Sequence, residues 1–278
     1  MRKFESLVLP ILFYNCEIWG PLICKTKMEQ IEIFYRKILR RTLKIHSNSP
    51  VSVIYCELGC YPIIDRIRYK VLQYIVKVQT EPSKWMCNVA FKELKRINHP
   101  YWTFISNHCS VDPAVIEKKN IYKFLKEGYN RIFFDSKNKI LDDVRNNVKN
   151  NFYNFIHSGD EEVFGFKNYL DFLEPNQRPF VARLRCGAHR LNIEIGRWAQ
   201  LPRNQRLCRF CSERKIEDES HILLECPAFG DLRDKMQQDC DQVGIQIFMN
   251  SDDCLVHVAT FLRSLSHRVK KEHNKCLF

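Results

Sequence analysis

Apolar residues that recur every three or four positions, in one segment after another, predict a mainly α-helical protein. Pro50, Gly59 and Pro62 fall at the edges of such segments, where a helix starts or stops. Near the C-terminus, Cys208, Cys211, His221 and Cys226 crowd into a short run of their own. The predicted architecture is therefore a bundle-like array of helices with a small Cys–His knuckle close to its end. The chain has 278 residues, 45% of them hydrophobic, which is enough for one or two domains with a sizeable core.

Taken in order, the first element is the apolar stretch Leu7-Val-Leu-Pro-Ile-Leu-Phe-Tyr14. A signal peptide is not the expected reading, because Glu5 and Pro10 interrupt the stretch and no small-x-small cleavage site follows. Eight apolar residues are also too few to cross a bilayer, so no membrane partner is expected. The stretch reads as a helix buried in a larger protein. From Lys27 to Ile45 the period is helical, with Met28, Ile31, Phe34, Ile38 and Ile45 as the apolar stripe. Arg36, Lys37, Arg40, Arg41 and Lys44 lie largely off it, either as a solvated face or as nucleic-acid contacts. Pro50 opens a short helix through Leu58, ended by Gly59. A further helix from Pro62 carries Ile63, Ile67, Val71, Tyr74 and Val78.

Residues 84–97, 113–134 and 140–157 read as helices separated by Asn98-His-Pro100, Ser136-Lys-Asn138 and Ser158-Gly-Asp160. In the last of them Leu141, Val144, Val148, Phe152 and Phe155 set the period. Trp85, Trp102 and Phe133-Phe134 are assigned to core packing rather than to base stacking. His99 and His108, with no carboxylate or Cys at metal spacing, are assigned to structural or surface roles. Two closing helices are expected at Asp231–Val243 and Cys254–Lys271. The domain division is 1–80, 81–172, 173–240 and 241–278.

Net charge of +12 and a pI of about 9.1 are the footprint expected of a nucleic-acid partner, RNA or DNA. Residues 176–209 concentrate it. They hold Arg178, Arg183, Arg185, Arg190, Arg197, Arg203, Arg206 and Arg209, no Lys, and Glu194 as the one acid. Guanidinium suits phosphate and base stacking, so Arg183, Arg185, Arg190, Arg197, Arg203, Arg206 and Arg209 are the candidate nucleic-acid contacts. Internal salt bridges are the alternative. Phe180, Leu184, Ala188, Leu191, Ile195 and Trp198 would share one face of a helix there, with Arg183, Arg190 and Arg197 along its flank. Gly187 and Gly196 weaken that helix. The thirteen cysteines, an odd number in a long chain, fit reduced, buried or metal-bound thiols in a nuclear or cytoplasmic compartment. Cys56, Cys87 and Cys109 sit in apolar helical patterns.

The knuckle has the spacing C-x2-C-x9-H-x4-C. A CxxC turn offers two thiolates on one loop, and a His and a Cys from the next element close a tetrahedron of soft donors for structural zinc. Three thiolates and one imidazole around a divalent ion leave a formal charge of −1, and Arg206 and Arg209 are placed to offset it. His189 is the nearest spare ligand.

The run Pro175–Arg197, with its Arg-Leu-x4-His-x-Leu core and Gly-Arg pair, then Pro202-Arg203, Ile216-Glu-Asp-Glu-x-His221 and Cys226–Arg233, resembles the C-terminal zinc-binding segment of LINE-type (non-LTR) retrotransposon reverse transcriptases. Leu9-Pro-Ile-Leu-Phe-Tyr-Asn-Cys-Glu-Ile-Trp-Gly20, Ile31–Arg41, Ser49-Pro50 and Glu57-Leu-Gly59 are similar to the segment after the palm and thumb of the same family, with Asn15 where the family usually has Gly. The resemblance implies a thumb/connector in residues 1–80 and a zinc-stabilised module that holds template RNA or target DNA. It also implies an upstream polymerase region as partner. No catalytic residue is assigned. The Tyr/Phe-x-Asp-Asp turn that holds catalytic magnesium is missing, since Asp142-Asp143 and Asp252-Asp253 lack the preceding aromatic. The chain reads as the C-terminal remainder of a longer polyprotein or a broken copy. The other reading is a helical zinc module for protein interaction.

Overall fold

A computed structural model describes residues 2–46, 49–80, 86–108, 121–159, 162–238, 244–274 and 276–278. Trp85, Cys109, residues 113–120 and Asp160 lie outside them. In chain order the helices are α1 (Arg2–Leu7), α2 (Leu9–Leu12), α3 (Cys16–Trp19), α4 (Lys25–Leu43), α5 (Val51–Leu58), α6 (Ile63–Thr80), α7 (Met86–Arg96) and α8 (Pro100–His108). They continue with α9 (Ile121–Asn146), α10 (Asn151–Ile156), α11 (Tyr169–Phe172), α12 (Arg178–Arg185) and α13 (Asn192–Trp198). The last are α14 (Gly230–Gln238), α15 (Ile245–Asn250) and α16 (Asp252–His273). Among the described residues the one β pairing is an isolated antiparallel bridge between Leu207 and Ile216. The mainly α expectation holds. No helix among the described residues is long and apolar enough to cross a membrane.

The chain divides into two compact units, Met1–Ile38 with Cys60–Ile140, and Leu39–Gly59 with Leu141–Phe278. In the first, α6 is the hub. Ile63, Ile67, Val71 and Val78 are buried as their spacing predicts, and Leu72, Ile75 and Val76 are buried as well. With apolar residues around so much of its circumference, α6 takes Cys16, Met28, Phe91, Tyr101, Phe124, Ile132 and Phe133 into one cluster. Gly20 permits the close approach of α3, because a Cβ there would lie 2.7 Å from Ile67 Cγ2. The ring of Trp102 meets Phe91 edge-on at 5.5 Å and that of Phe133 lies 4.5 Å from Tyr129. Phe133 is buried in the core as expected and Trp102, partly buried, packs against it; Phe134 is exposed.

Three expectations fail here, each for a visible reason. On α4 the buried positions are Met28, Glu32, Tyr35, Leu39 and Leu43, while Phe34 is 48% exposed and Ile45 lies beyond the helix. The stripe is rotated because a carboxylate takes a core position: Glu32 Oε2 accepts the Ile63 N–H at 2.9 Å and so caps α6. Ser136-Lys-Asn138 does not break the chain, since α9 runs through it and the buried Ser136 hydroxyl donates to Asp65 Oδ2 at 2.7 Å. The Leu7–Tyr14 stretch forms no single buried helix. It splits at Val8, ahead of Pro10 in the first turn of α2, and again between Leu12 and Asn15 (φ +49°), burying Leu9 and exposing Leu7, Ile11 and Tyr14. Helix α8, with Pro100 at its first turn, is an addition to the predicted set.

In the second unit α5 begins after Pro50 and ends on Gly59 at φ +58°, as predicted. Its Glu57 is wholly buried and anchors a polar core. Arg185 Nε donates to Glu57 Oε1 at 3.0 Å and the Tyr169 hydroxyl donates to Oε2 at 2.6 Å. Arg185 also donates to the Met249 carbonyl and lies 2.8 Å from His157 Nε2 through Nη2. Burial alone raises the Glu57 carboxyl, but the guanidinium and the hydroxyl outweigh it and hold the group below the usual carboxylate range. Around this core α16 packs against α12, α14 and α15. The break in α9 falls at Asn147, whose side chain accepts the Lys149 N–H at 3.0 Å. Beyond it the phase changes. Tyr153 and Ile156 are buried, and Val148 and Phe155, read as part of the stripe, are exposed. The closing helices are α14 and α16, with α15 added before the latter; residues 239–243 lie outside the description.

Candidate metal centre

Two local structures bring the four predicted ligands together. The first is a tight hairpin. Leu207 bridges Ile216, Cys208 N–H donates to the Lys215 carbonyl at 2.8 Å, and Glu217 N–H to that of Arg206 at 2.9 Å. Arg214, at φ +56°, helps turn the chain back, so Cys208 ends one paired arm and Cys211 lies in the loop that follows it. The second is a π-helical turn, His221–Glu225, closed by Cys226 N–H donating to the His221 carbonyl at 2.7 Å. Its wider winding brings His221 and Cys226 to one side. Asp218 Oδ1 caps the turn by accepting the His221 N–H at 3.0 Å. Arg233 holds its far end, donating to the carbonyls of Leu223 and Cys226 at 3.1 and 2.5 Å.

The ligand atoms of Cys208, Cys211, His221 and Cys226 all lie within 4.8 Å of one another, and the cluster can hold a metal ion. Cys208 Sγ is 3.8 Å from Cys226 Sγ, and Cys211 Sγ is 3.4 Å from His221 Nε2. Cys208, His221 and Cys226 are buried, while Cys211 is partly exposed. Burial pushes the Cys208 and Cys226 thiols above their usual range, so a bound cation must displace their protons. The other ring nitrogen, His221 Nδ1, faces Glu225 Oε2 at 3.6 Å. Carboxylates commonly orient a ligating imidazole from that side.

Each acid of the Glu217-Asp218-Glu219 run has a separate partner. Glu217 is fully buried. Its Oε1 accepts the Asn192 N–H at 2.9 Å, at the start of α13, and its Oε2 accepts both Arg209 N–H and Arg209 Nε at 2.9 Å. One carboxylate thus ties the CxxC loop to α13. Glu219 Oε1 lies 2.9 Å from His189 Nε2. Because His189 Nδ1 accepts the Leu191 N–H at 3.3 Å, the Nε2 position carries the proton donated to Glu219. His189 therefore belongs to the scaffold and not to the ligand set.

The single helix expected from Phe180 to Trp198 does not form. Gly187, at φ +58°, ends one helix after Arg185, and the chain restarts at Asn192, so α12 and α13 are separate. Arg183, Arg190 and Arg197 consequently share no helix flank. Gly196 stays inside α13, where a Cβ would come within 2.6 Å of Arg206 Cγ. Most of the predicted arginines make internal bonds. Arg183 donates to the Lys44 carbonyl at 2.7 Å, and Arg185 is buried on Glu57. Arg197 pairs with Glu194, Arg206 donates to the Leu201 and Ile193 carbonyls, and Arg209 is held by Glu217. Arg206 and Arg209 thus direct their donors at carbonyls and a carboxylate. Arg203 is 60% exposed beside Asp218 at 3.4 Å, and Arg190 is exposed. Glu217, Glu219 and Arg233 were not singled out from the sequence, although the acid run ahead of His221 was visible there. Asp142, Asp143, Asp252 and Asp253 are exposed side chains on helices. No family model, curated protein or solved structure matches the chain.

Proposed function

We propose that this chain is a zinc-stabilised nucleic-acid-binding module, the C-terminal part of a LINE-type reverse transcriptase without its catalytic palm. The observation that carries the zinc reading is the donor set and its spacing. With Zn–S near 2.3 Å and Zn–N near 2.05 Å, a regular tetrahedron has S···S edges of about 3.8 Å and S···N edges of about 3.6 Å. The two ligand separations of 3.8 and 3.4 Å fit those edges. Four protein donors leave no open position for a substrate, so the metal's role is structural: bound zinc supplies folding free energy. Cys208, Cys211, His221 and Cys226 hold it, and Asp218, Glu217 and Arg233 fix the two turns that present them. Nucleic-acid binding is supported by the net charge of +12 and by the sequence resemblance.

The internal bonding of Arg183, Arg185, Arg206 and Arg209 favours the second reading, a zinc-stabilised helical module for protein interaction. Two measurements on the purified chain separate them. Metal analysis should return one zinc per chain, and its absence would remove the first premise. Binding of labelled RNA or DNA that weakens steeply with salt supports the nucleic-acid reading; no binding at low salt in the zinc-loaded protein leaves the interaction module. The same preparation should extend no primer on an RNA template, and template-dependent synthesis would refute the assignment of the palm to another segment.

A further inference from the structure

Helix α4 turns Met28, Glu32, Tyr35, Leu39 and Leu43 inward. At about 100° per residue, Lys27, Gln30, Ile33, Phe34, Lys37 and Arg41 fall on the opposite side, within an arc of about 120°, and all six are exposed. Two features separate this arc from an ordinary solvated face. The first is its charge. Solvated helix faces gain from mixing acids with bases at i,i+4 spacing, yet the helix places no acid within the arc. Glu29 is exposed outside it and Glu32 is buried. Arg36 and Arg40 are bonded inward, to Glu32 Oε1 at 3.3 Å and to the Ser49 carbonyl at 3.2 Å. The side chains of Lys27, Lys37 and Arg41 have no such partner among the described residues. The second feature is apolar. Ile33 and Phe34, halfway along the arc, are 43% and 48% exposed. Lys37 follows Phe34 by one helical turn and Arg41 follows by one more.

We propose that this face of α4 is a docking surface for a single nucleic-acid strand, with Lys27, Lys37 and Arg41 against phosphates and Phe34 beneath a base. Cations with no acid among them are complementary to a polyanion. An exposed aromatic ring between them selects the kind of polyanion: a single strand offers unstacked base faces beside its phosphates, and a duplex does not. The inference rests on the nucleic-acid reading above and gives that reading a place. Arg183, Arg185, Arg206 and Arg209 are bonded within the fold, whereas the three cations of α4 are not. Such a surface reads backbone charge and any base's face, not base identity.

The test uses the full zinc-loaded chain and labelled mixed-sequence single-stranded RNA, with affinity measured across a salt series. Lys37→Gln and Arg41→Gln should each lower the slope of log K against log salt by about 0.7, the single-strand value per phosphate contact. Phe34→Ala should weaken binding about fivefold or more, the low end of base stacking on an aromatic ring, and leave the slope unchanged. All three positions face solvent, so zinc content should stay as in the wild type. A control carrying Lys92→Gln and Lys139→Gln, exposed positions on α7 and α9, removes the same charge elsewhere and should leave the slope unchanged. Wild-type protein that binds with a steep salt dependence, together with α4 variants indistinguishable from that control, would overturn the surface and leave the nucleic-acid reading standing. Phe34→Ala protein that binds as tightly as wild type would overturn the single strand in favour of a duplex held by charge alone. Wild-type protein that binds no strand would overturn both readings. If that protein instead bound phosphatidylserine vesicles, and the variant with both Lys37→Gln and Arg41→Gln did not, the face would be reassigned to an anionic lipid surface.

Discussion

The unit built on α6 and the unit that carries the metal centre are buried with different materials. Around α6 the buried set is largely aliphatic and aromatic, and its buried carboxylates among the described residues are Glu32 and Asp65, which cap and brace helices. In the other unit Glu57, His157, Arg185, His189, Glu194, Glu217, Glu219, His221 and Arg233 are all buried. Apolar packing is non-directional and yields by degrees when trimmed. A buried polar network is asymmetric: complete, it contributes little net free energy, but one missing partner strands a charge out of water. The second unit should therefore be the more brittle of the two.

That contrast can be broken in four places, from the largest expected effect downward. Cys211→Ser should abolish metal binding and, with it, about 10 kcal/mol of apparent binding free energy. Amide exchange should then rise across residues 190–235 and stay protected in α6; equal loss of protection in both would erase the distinction. Arg185→Ala should destabilise its unit by about 3–5 kcal/mol by leaving Glu57 buried and unpaired. Because the folded-state carboxyl of Glu57 is held low, its contribution is present above the ordinary carboxylate range and is lost as pH falls through the lowered folded value. The same variant should flatten that acid limb in urea titrations at several pH values. Ile67→Ala, at a fully buried position on α6, should cost about 2–5 kcal/mol, with no effect on zinc content. Phe134→Ser, on the exposed side of α9, should change stability by less than about 0.5 kcal/mol in a thermal melt.

What the sequence made legible was what depends on short range. The ligands span nineteen residues and α5 is bounded by Pro50 and Gly59, so spacing and capping rules reach them directly. The face of α6 was legible because its period is unbroken. Long-range polar pairing was not. Nothing near Glu32 announces that it will cap Ile63, and nothing near Ser136 announces Asp65, yet these pairs rotate the buried face of α4 and carry α9 past an apparent break. The bonding of the arginine run was hidden for the same reason. Its composition suits phosphate, but Arg183 and Arg185 meet acceptors supplied by distant segments, the Lys44 carbonyl and the Glu57 carboxylate. Gly187 and Gly196 look alike in sequence. Only a φ of +58° at the first, and the Arg206 side chain against the second, separate a helix break from a packing notch.

The nesting of the metal ligands also bears on the order in which the chain acquires structure. The hairpin closes Cys208 onto Lys215 and the π turn closes His221 onto Cys226, so each loop is only a few residues long. Glu57 and Arg185, by contrast, are 128 residues apart. The entropic penalty of loop closure grows with length, and contacts distant in sequence form late. Pulsed amide labelling during refolding in the presence of zinc should find the knuckle protected before α5. A knuckle that is already rigid gives the remaining chain a fixed edge to assemble on, with Glu217 and Glu219 presented to Asn192 and His189 before Arg185 has met its carboxylate.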